Sequence, residues 1–428
     1  MRAFRFLHTA DVHLGSPMAG WTRDLPEAWQ TRLRRAADGV WQRIVDIAIA
    51  EQVDFVTIAG DLYDRTDVSM AVHFEWLRGF ERLAEAGIPV VLCHGNHDPL
   101  TAPPPLSWPA SVHVLPAAPR LADATYQAPS VWIDLDDDTR VQVSGFSYPV
   151  RELTPSMAYA FVRQPEADFA VALYHGAVGP SYGHAEYCAA TEAELVQRGF
   201  DVWALGHIHQ PTVLRSARPY IAYPGNPQGR HMQETGERGC LVIDVSSSAQ
   251  VAARFVSTSE LIWTECRVRV EEADDLAGVR ERVLASLARL LVRFPERWLM
   301  VRVVVEGESV SEGLLRLEDD EFLQALRQEA SARLWPIWIA HVDWRVRPAL
   351  DLATLAESPE LLGELVRVYQ HYQSDPLARR EWARRELADV FHPGNGLAFD
   401  AISETELAEL LQAAFRLLTA WAVQEDAR

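Results

Sequence analysis

The sequence predicts an α/β protein in three parts: alternating strands and helices over 1–259, a small α/β unit over 260–348, and a helical region over 349–428. Three observations predict it. Short β-branched and aromatic runs recur through the first part, interspersed with apolar residues at helical spacing. A compact strand–helix–strand–helix–strand succession follows. From Leu352 onward the pattern is almost wholly helical. At 428 residues the chain also exceeds what one ordinary core holds, so more than one domain is expected.

Taken in order, Phe4–Ala10 reads as a strand and Glu27–Gln52 as one amphipathic helix, with Trp29, Leu33, Val40, Ile44 and Ile47 at helical spacings. Phe55–Ala59 is a second strand, Val72–Ala86 a helix and Pro89–Cys93 a third strand. That β-α-β-α-β order suggests a sheet with helices outside it. A proline-rich loop (Pro103, Pro104, Pro105, Pro109) interrupts the pattern. Strands are then expected at Val131–Leu135, Val141–Phe146, Ala170–Tyr174, Val202–Leu205, Tyr220–Tyr223 and Cys240–Asp244. The last of these turns through Ser246–Gln250 into Val251–Val256. In the second part Ile262–Val270, Leu299–Glu306 and Trp338–Arg347 read as strands, with helices at Leu276–Phe294 and Asp319–Leu326. The third part breaks at Pro376 and at His392–Gly396, between helices at Ala378–Val390 and Ser403–Val423. Ser403 and Glu406 make a capping box.

Apolar residues are 48% and charged residues 23% of the chain, the balance of a soluble globular protein. No apolar run approaches the ~18 residues that cross a bilayer, and nothing resembles a signal peptide. A cytoplasmic protein that uses no membrane is the expectation. Cys93, Cys188, Cys240 and Cys266 are scattered and form no C-x-x-C pair, which argues against a zinc ribbon or a disulfide framework. Every basic side chain is arginine. The net charge of −20 argues against a protein that coats DNA. A positive field for phosphate must therefore be local, on metal ions and a few arginines, or borrowed from a partner.

Five motifs follow predicted strands, where α/β folds place their sites. They are Asp11-Val-His13, Gly60-Asp61-Leu-Tyr-Asp64, Gly95-Asn96-His97-Asp98, His175-Gly176 and Gly206-His207-Ile-His209. Asp, Asn and His are the donor set of Mn²⁺, Fe²⁺ or Zn²⁺ rather than of a thiolate site. The glycines let the backbone turn sharply and approach an ion. Singly, each motif is a weak signal: D-x-H and G-N-H-D read more readily as a turn and cap, and only G-H-x-H is somewhat better. In this order, each at a strand end, they point to one metal-dependent site.

Together the motifs resemble the calcineurin-type metallophosphoesterase superfamily, which implies a β-sandwich flanked by helices. The resemblance implies one metal held by Asp11, His13, Asp61 and His209, and a second by Asp61, Asn96, His175 and His207. Asp61 would bridge two divalent ions, for which Mn²⁺ is the expected metal, and a water between them would attack in line. His97 would stabilise the transition state or protonate the leaving oxygen, with Asp98 placed to orient it. Tyr63 and Asp64 either support the site or contact substrate.

Leu7-His-Thr-Ala-Asp-Val-His-Leu-Gly15 and Tyr223-Pro-Gly-Asn-Pro-Gln-Gly-Arg-His231 are similar to segments of SbcD-type DNA repair nucleases. The run Gln228–Cys240 resembles the YhaO-like branch of that family, and makes Arg230, His231 and Arg238 candidates to face phosphates. This likeness implies a metal-dependent DNA exo/endonuclease of double-strand-break repair. It also implies a small capping domain and C-terminal helices that bind an SMC-like, SbcC-type ATPase. A homodimer would use Val68–Leu83, whose Met70, Phe74, Trp76, Leu77 and Phe80 read equally well as core. Two other readings stay open: a small-molecule phosphodiesterase or nucleotidase, and a non-catalytic scaffold for an ATPase.

Overall fold

The computed structural model describes residues 1–18, 25–65, 67–101, 105–119, 125–136, 138–154, 156–179, 187–271, 275–309, 319–348, 352–387, 399 and 402–426. Pro103, Pro104, Val390 and the expected break at His392–Gly396 lie outside the described residues. The chain divides into two compact units, Met1–Thr264 with Arg297–Leu299, and Glu265–Glu296 with Met300–Arg428.

The first unit begins with β1 (Phe4–Thr9), α1 (Glu27–Asp38), α2 (Val40–Ala50) and β2 (Phe55–Ala59). It continues through α3 (Met70–Glu85), β3 (Val90–Cys93), β4 (Val112–Val114), β5 (Ser130–Asp134) and β6 (Arg140–Gly145). Then come β7 (Phe169–His175), α4 (Glu192–Val196), β8 (Val202–Gly206), β9 (Thr212–Arg215) and β10 (Tyr220–Tyr223). The hairpin of β11 (Gly239–Val245) and β12 (Val251–Ser257) follows.

These strands form two sheets, ordered β12-β11-β1-β2-β3-β4 and β5-β6-β7-β8-β10-β9. β1 to β4 are parallel, and so are β6, β7, β8 and β10. An apolar layer of Phe6, Phe55, Phe169, Val171, Leu173, Val202 and Ile243 unites the sheets. Trp41, Ile44, Trp76 and Phe80 from α2 and α3 pack on Leu7, Val56 and Ile58 over the first sheet's other face. Phe146, Phe161, Tyr174 and Trp203 fill a third layer that includes the second sheet's other face. β2, β7 and β8 are buried along their whole length, which is why they read as largely apolar runs without alternation. The expected sandwich flanked by helices is present.

The expected single helix over Glu27–Gln52 is two helices, broken at Gly39. Gly39 carries no side chain there, so Arg43 of α2 can reach back and bond Ala36 O at the end of α1 at 2.5 Å. The same guanidinium holds Thr258 O at 2.8 Å and Glu260 at 2.9 Å. An arginine thus caps the preceding helix, satisfying a carbonyl the break would otherwise strand. β4, β9 and α4 are additional short elements that periodicity could not resolve.

β13 (Leu261–Val270) leads into α5 (Leu276–Arg293), β14 (Trp298–Ser309), α6 (Asp319–Arg333) and β15 (Ile337–Pro348), whose strands pair in the order β13-β14-β15. Among the described residues the helices that follow are α7 (Leu352–Ala356), α8 (Leu361–Ser374), α9 (Pro376–Glu386) and α10 (Glu404–Asp426). α8 and α10 share a core of Val366, Tyr369, Leu411 and Phe415, with the Tyr369 and Phe415 rings stacked at 4.0 Å. The Ser403–Glu406 box is formed, through bonds of 2.7 and 3.2 Å between each side chain and the other's backbone N–H. Among the described residues no helix is long and apolar enough to cross a membrane.

Candidate metal centre

All five motifs lie at the C-terminal ends of parallel strands. Asp11 and His13 follow β1, Asp61 follows β2, and Asn96 and His97 follow β3. From the second sheet, β7 ends in His175, and His207 and His209 follow β8. The first two loops are laced together: Asp11 N donates to Gly60 O at 3.1 Å, His13 N to Asp61 O at 3.0 Å and Leu14 N to Leu62 O at 2.8 Å. Across the sandwich, His207 N donates to both oxygens of Asp11 at 3.0 Å. Asp11 (φ 52°), His13 (45°), Asp61 (52°) and His207 (97°) all adopt backbone that side chains rarely tolerate. Each costs about 1–3 kcal/mol, which this lacing sustains. Gly95 permits a close approach, since a Cβ there would strike Asp61 Oδ1 and lie 2.6 Å from His175 Nε2.

The side-chain donors form two groups that meet at Asp61. On one side His13 Nε2 lies 3.6 Å from Asp61 Oδ2 and 3.2 Å from His209 Nε2, which is 3.9 Å from Asp11 Oδ1. On the other, His175 Nε2 lies 3.6 Å from Asp61 Oδ1 and 2.9 Å from Asn96 Oδ1, which is 3.3 Å from His207 Nδ1. Two tautomers follow from neighbouring acceptors. His175 Nδ1 sits 2.8 Å from Ala59 O and His209 Nδ1 sits 2.7 Å from Glu234 Oε1, so these nitrogens carry the protons. The lone pairs on both Nε2 atoms are then aimed into the site, at other electron-rich atoms.

Lone pairs facing one another at such distances repel unless a cation lies among them. Charge makes the same point. Burial, followed by repulsion from Asp61, pushes the Asp11 carboxyl well above its ordinary range. Burial also raises Asp61. Burial and then Arg230 push His13 well below the usual imidazole range, leaving it neutral and able to donate. The residues present therefore fit divalent cations of the N/O-preferring kind. Bound there, such ions would polarise a phosphoryl oxygen and acidify water.

The groups around this centre depart from sequence expectation in two places. Asp98 does not pair with His97. Its carboxylate accepts Leu62 N at 2.9 Å, Gly95 N at 2.8 Å and His94 Nδ1 at 3.1 Å, closing the turn on itself. His97 is held instead by Asp64, whose carbonyl accepts from His97 Nδ1 at 2.9 Å. Arg238, expected to face phosphates, is only 1% exposed and spends its guanidinium on His209 O, Thr235 O, Asn226 and Gln210. It braces the His209 loop from inside. Arg230 does reach the site's edge, 2.9 Å from Asp64 Oδ1 and 3.2 Å from Ser16 Oγ. His231 is partly exposed, with Nε2 3.6 Å from Glu234.

Sequence reasoning did not single out Glu234, His94 or Tyr148, and quoted Tyr223 only as a strand end and the first residue of a family-like run. Tyr148 Oη donates to His175 O at 2.7 Å and Tyr223 Oη to Gly176 O at 2.8 Å, pinning that loop from below. Glu234 lies within the Gln228–Cys240 run already marked, so its motif was visible although its partner was not. Burial alone would raise its carboxyl, but the His209 hydrogen bond and Arg230 hold it below the ordinary range.

Residues 4–211 match the calcineurin-like phosphoesterase family, and residues 263–347 match the middle domain of metallophosphoesterase YhaO. A Bacillus subtilis protein named "Uncharacterized metallophosphoesterase YhaO" is 33% identical over 355 residues, covering 82% of this chain and 84% of that one. The DNA double-strand break repair protein Mre11 of Aeropyrum pernix is 23% identical over 423 residues, covering 94% and 95%. A component of the Bacillus subtilis nuclease SbcCD is 26% identical over 262 residues, covering 54% of this chain and 63% of the relative. With its donors converging as described, the chain belongs to the YhaO-like group of the calcineurin-like metallophosphoesterases, hydrolases of phosphodiester bonds.

Proposed function

We propose that this protein is a Mn²⁺-dependent DNA nuclease, cutting exo- and endonucleolytically in double-strand-break repair. The observation that carries the reading is Asp61, whose two carboxylate oxygens each face a separate group of imidazole donors. Asp11, His13, Asp61 and His209 then hold one ion, and Asp61, Asn96, His175 and His207 the other. His97, fixed through Nδ1 by the Asp64 carbonyl, keeps Nε2 for proton delivery to the leaving oxygen. Asp64, Arg230 and His231 border the phosphodiester.

DNA is favoured as substrate because Mre11 and SbcCD carry DNA repair and nuclease in their names. The net charge of −20 supports a division of labour in which an SMC-like ATPase supplies most of the DNA affinity. In this reading 1–259 is the nuclease, 260–348 caps it, and 349–428 docks the ATPase, in a cytoplasmic homodimer. The test incubates the protein with Mn²⁺, Mg²⁺ or Zn²⁺ and linear duplex DNA, closed circular DNA, cyclic nucleotides and a chromogenic diester. Cleavage of linear DNA that is lost in His97→Ala and His207→Ala supports the reading. Cleavage of the diester or cyclic nucleotides without DNA transfers the assignment to a small-molecule phosphodiesterase.

A further inference from the structure

We infer that Glu234 is a positioning residue for the metal centre: it fixes the His209 imidazole as an Nε2 donor and shields that donor from Arg230. The inference rests on the two-cation reading above, and deepens it at one position.

Glu234 is 5% exposed and stands where a buried carboxylate needs several partners to persist. It has them. Oε1 accepts a hydrogen bond from His209 Nδ1–H at 2.7 Å, while Oε2 accepts from Arg230 N at 2.7 Å and Asn226 Nδ2 at 3.0 Å. Arg230 Nη2 lies a further 3.5 Å from Oε1. One carboxylate therefore ties together the loop after β8, the turn after β10 and the arginine at the site's edge.

Its necessity lies in what else faces His209. Arg230 Nη2 is 3.4 Å from His209 Nδ1, and a guanidinium can only donate. Without Glu234, Arg230 would stand beside Nδ1 as a group that can only donate. It favours the tautomer with the proton on Nε2, whose lone pair would then no longer point toward His13 and Asp11. Arg230, still paired with Asp64 at 2.9 Å, would also lose the carboxylate that offsets its charge on the His209 side of the site. A carboxylate at this position corrects both faults, because an ionised carboxylate accepts only and carries the opposite charge. Carboxylate–imidazole pairs of this kind orient metal-bound histidines generally.

The experiment uses the full chain and Mn²⁺ alone, measuring stoichiometry and affinity by calorimetry and electron paramagnetic resonance. The ¹⁵N shifts of the His209 ring are read in the metal-free protein. Wild type is expected to bind two ions. Glu234→Ala is expected to weaken one of them by about 10–100-fold, leaving the other intact as an internal check on folding. The His209 signal should shift from Nδ1-protonated toward Nε2-protonated. Glu234→Gln preserves size, guarding against an unfolded alanine variant, and should weaken the same ion through loss of charge. Adding Arg230→Gln to Glu234→Ala should restore part of the affinity. Two ions bound by Glu234→Ala and Glu234→Gln with wild-type affinity, or an unchanged His209 tautomer, would overturn the inference. A wild type that binds no Mn²⁺ would overturn the two-cation reading itself.

Discussion

Asp98 holds His94, not His97: its Oδ2 lies 3.1 Å from His94 Nδ1, and the same carboxylate accepts Gly95 N within the turn and Leu62 N from the neighbouring loop. The Gly95–Asp98 turn is thus tied both to itself and to the loop bearing Asp61. His97 remains available for chemistry, anchored through Asp64 O and its own backbone N–H and set edge-on to the His13 ring.

The two neighbours should therefore fail differently. Asp98→Ala strands three donors under a residue only 3% exposed, at about 1–3 kcal/mol for each buried group left unpaired. It should lower the urea midpoint substantially and weaken metal binding with it. His97→Ala should leave the unfolding free energy within about 1 kcal/mol of wild type while kcat falls roughly 10²–10⁴-fold. Equal losses of stability in both variants would contradict this division.

Arg238→Ala is expected to reduce activity without changing how DNA binding responds to salt. Removing a phosphate contact lowers the slope of log K against log salt by about 0.9. Arg238 makes its bonds to the chain itself, so its loss should instead lower the melting temperature. Arg230→Ala should reduce the slope. Titrations at several salt concentrations, run on both variants, distinguish the two arginines.

In α3, Gly79→Ala should destabilise although alanine is the better helix former by ~1 kcal/mol. The added methyl would strike Trp41 Nε1 and lie 2.7 Å from its Cε2, where the indole is buried and bonded to Trp76 O at 3.3 Å. Overpacking of this sort costs roughly 1–3 kcal/mol. A denaturation midpoint equal to or above wild type would show that Trp41 can move.

His8 supplies a pH dependence. It is wholly buried, with Nε2 2.9 Å from Leu205 O and Nδ1 3.1 Å from Thr57 Oγ1, and burial pushes it down to about 4. In the unfolded chain it titrates near 6.5. Between those values the unfolded state binds a proton that the folded state refuses, so stability falls as pH drops from about 6.5 to 4. The difference is on the order of 3 kcal/mol. Denaturation curves of wild type and His8→Gln, both in chelator, should separate by that trend. Parallel pH profiles would remove His8 as the cause.

Much of the site was legible because its donors occupy loops whose backbone position is set by the strand before them. A polar Asp, His or Asn after a buried β-run has to face the strand's end, and five such runs end together. What spacing could not supply is the choice of partner across a turn. Asp98 is adjacent to His97 in sequence yet bonds His94, because closing the turn on Gly95 aims the carboxylate backward. Glu234 reaches His209 only because the chain doubles back after β10. Gly39 could have sat inside a continuous helix, and Arg43 capping Ala36 is a tertiary fact. The short strands β4 and β9 lacked the length to show a period at all.

The seven donors are drawn from two different sheets: Asp11, His13, Asp61 and Asn96 from one, His175, His207 and His209 from the other. Whatever cation they share is a rivet through the sandwich, and the halves cannot part until it leaves. At a hundredfold excess over its dissociation constant, one such ligand adds about 2.7 kcal/mol against unfolding. Metal supply would then govern the survival of the chain as well as its turnover, since a starved molecule opens along that seam and offers itself to proteases.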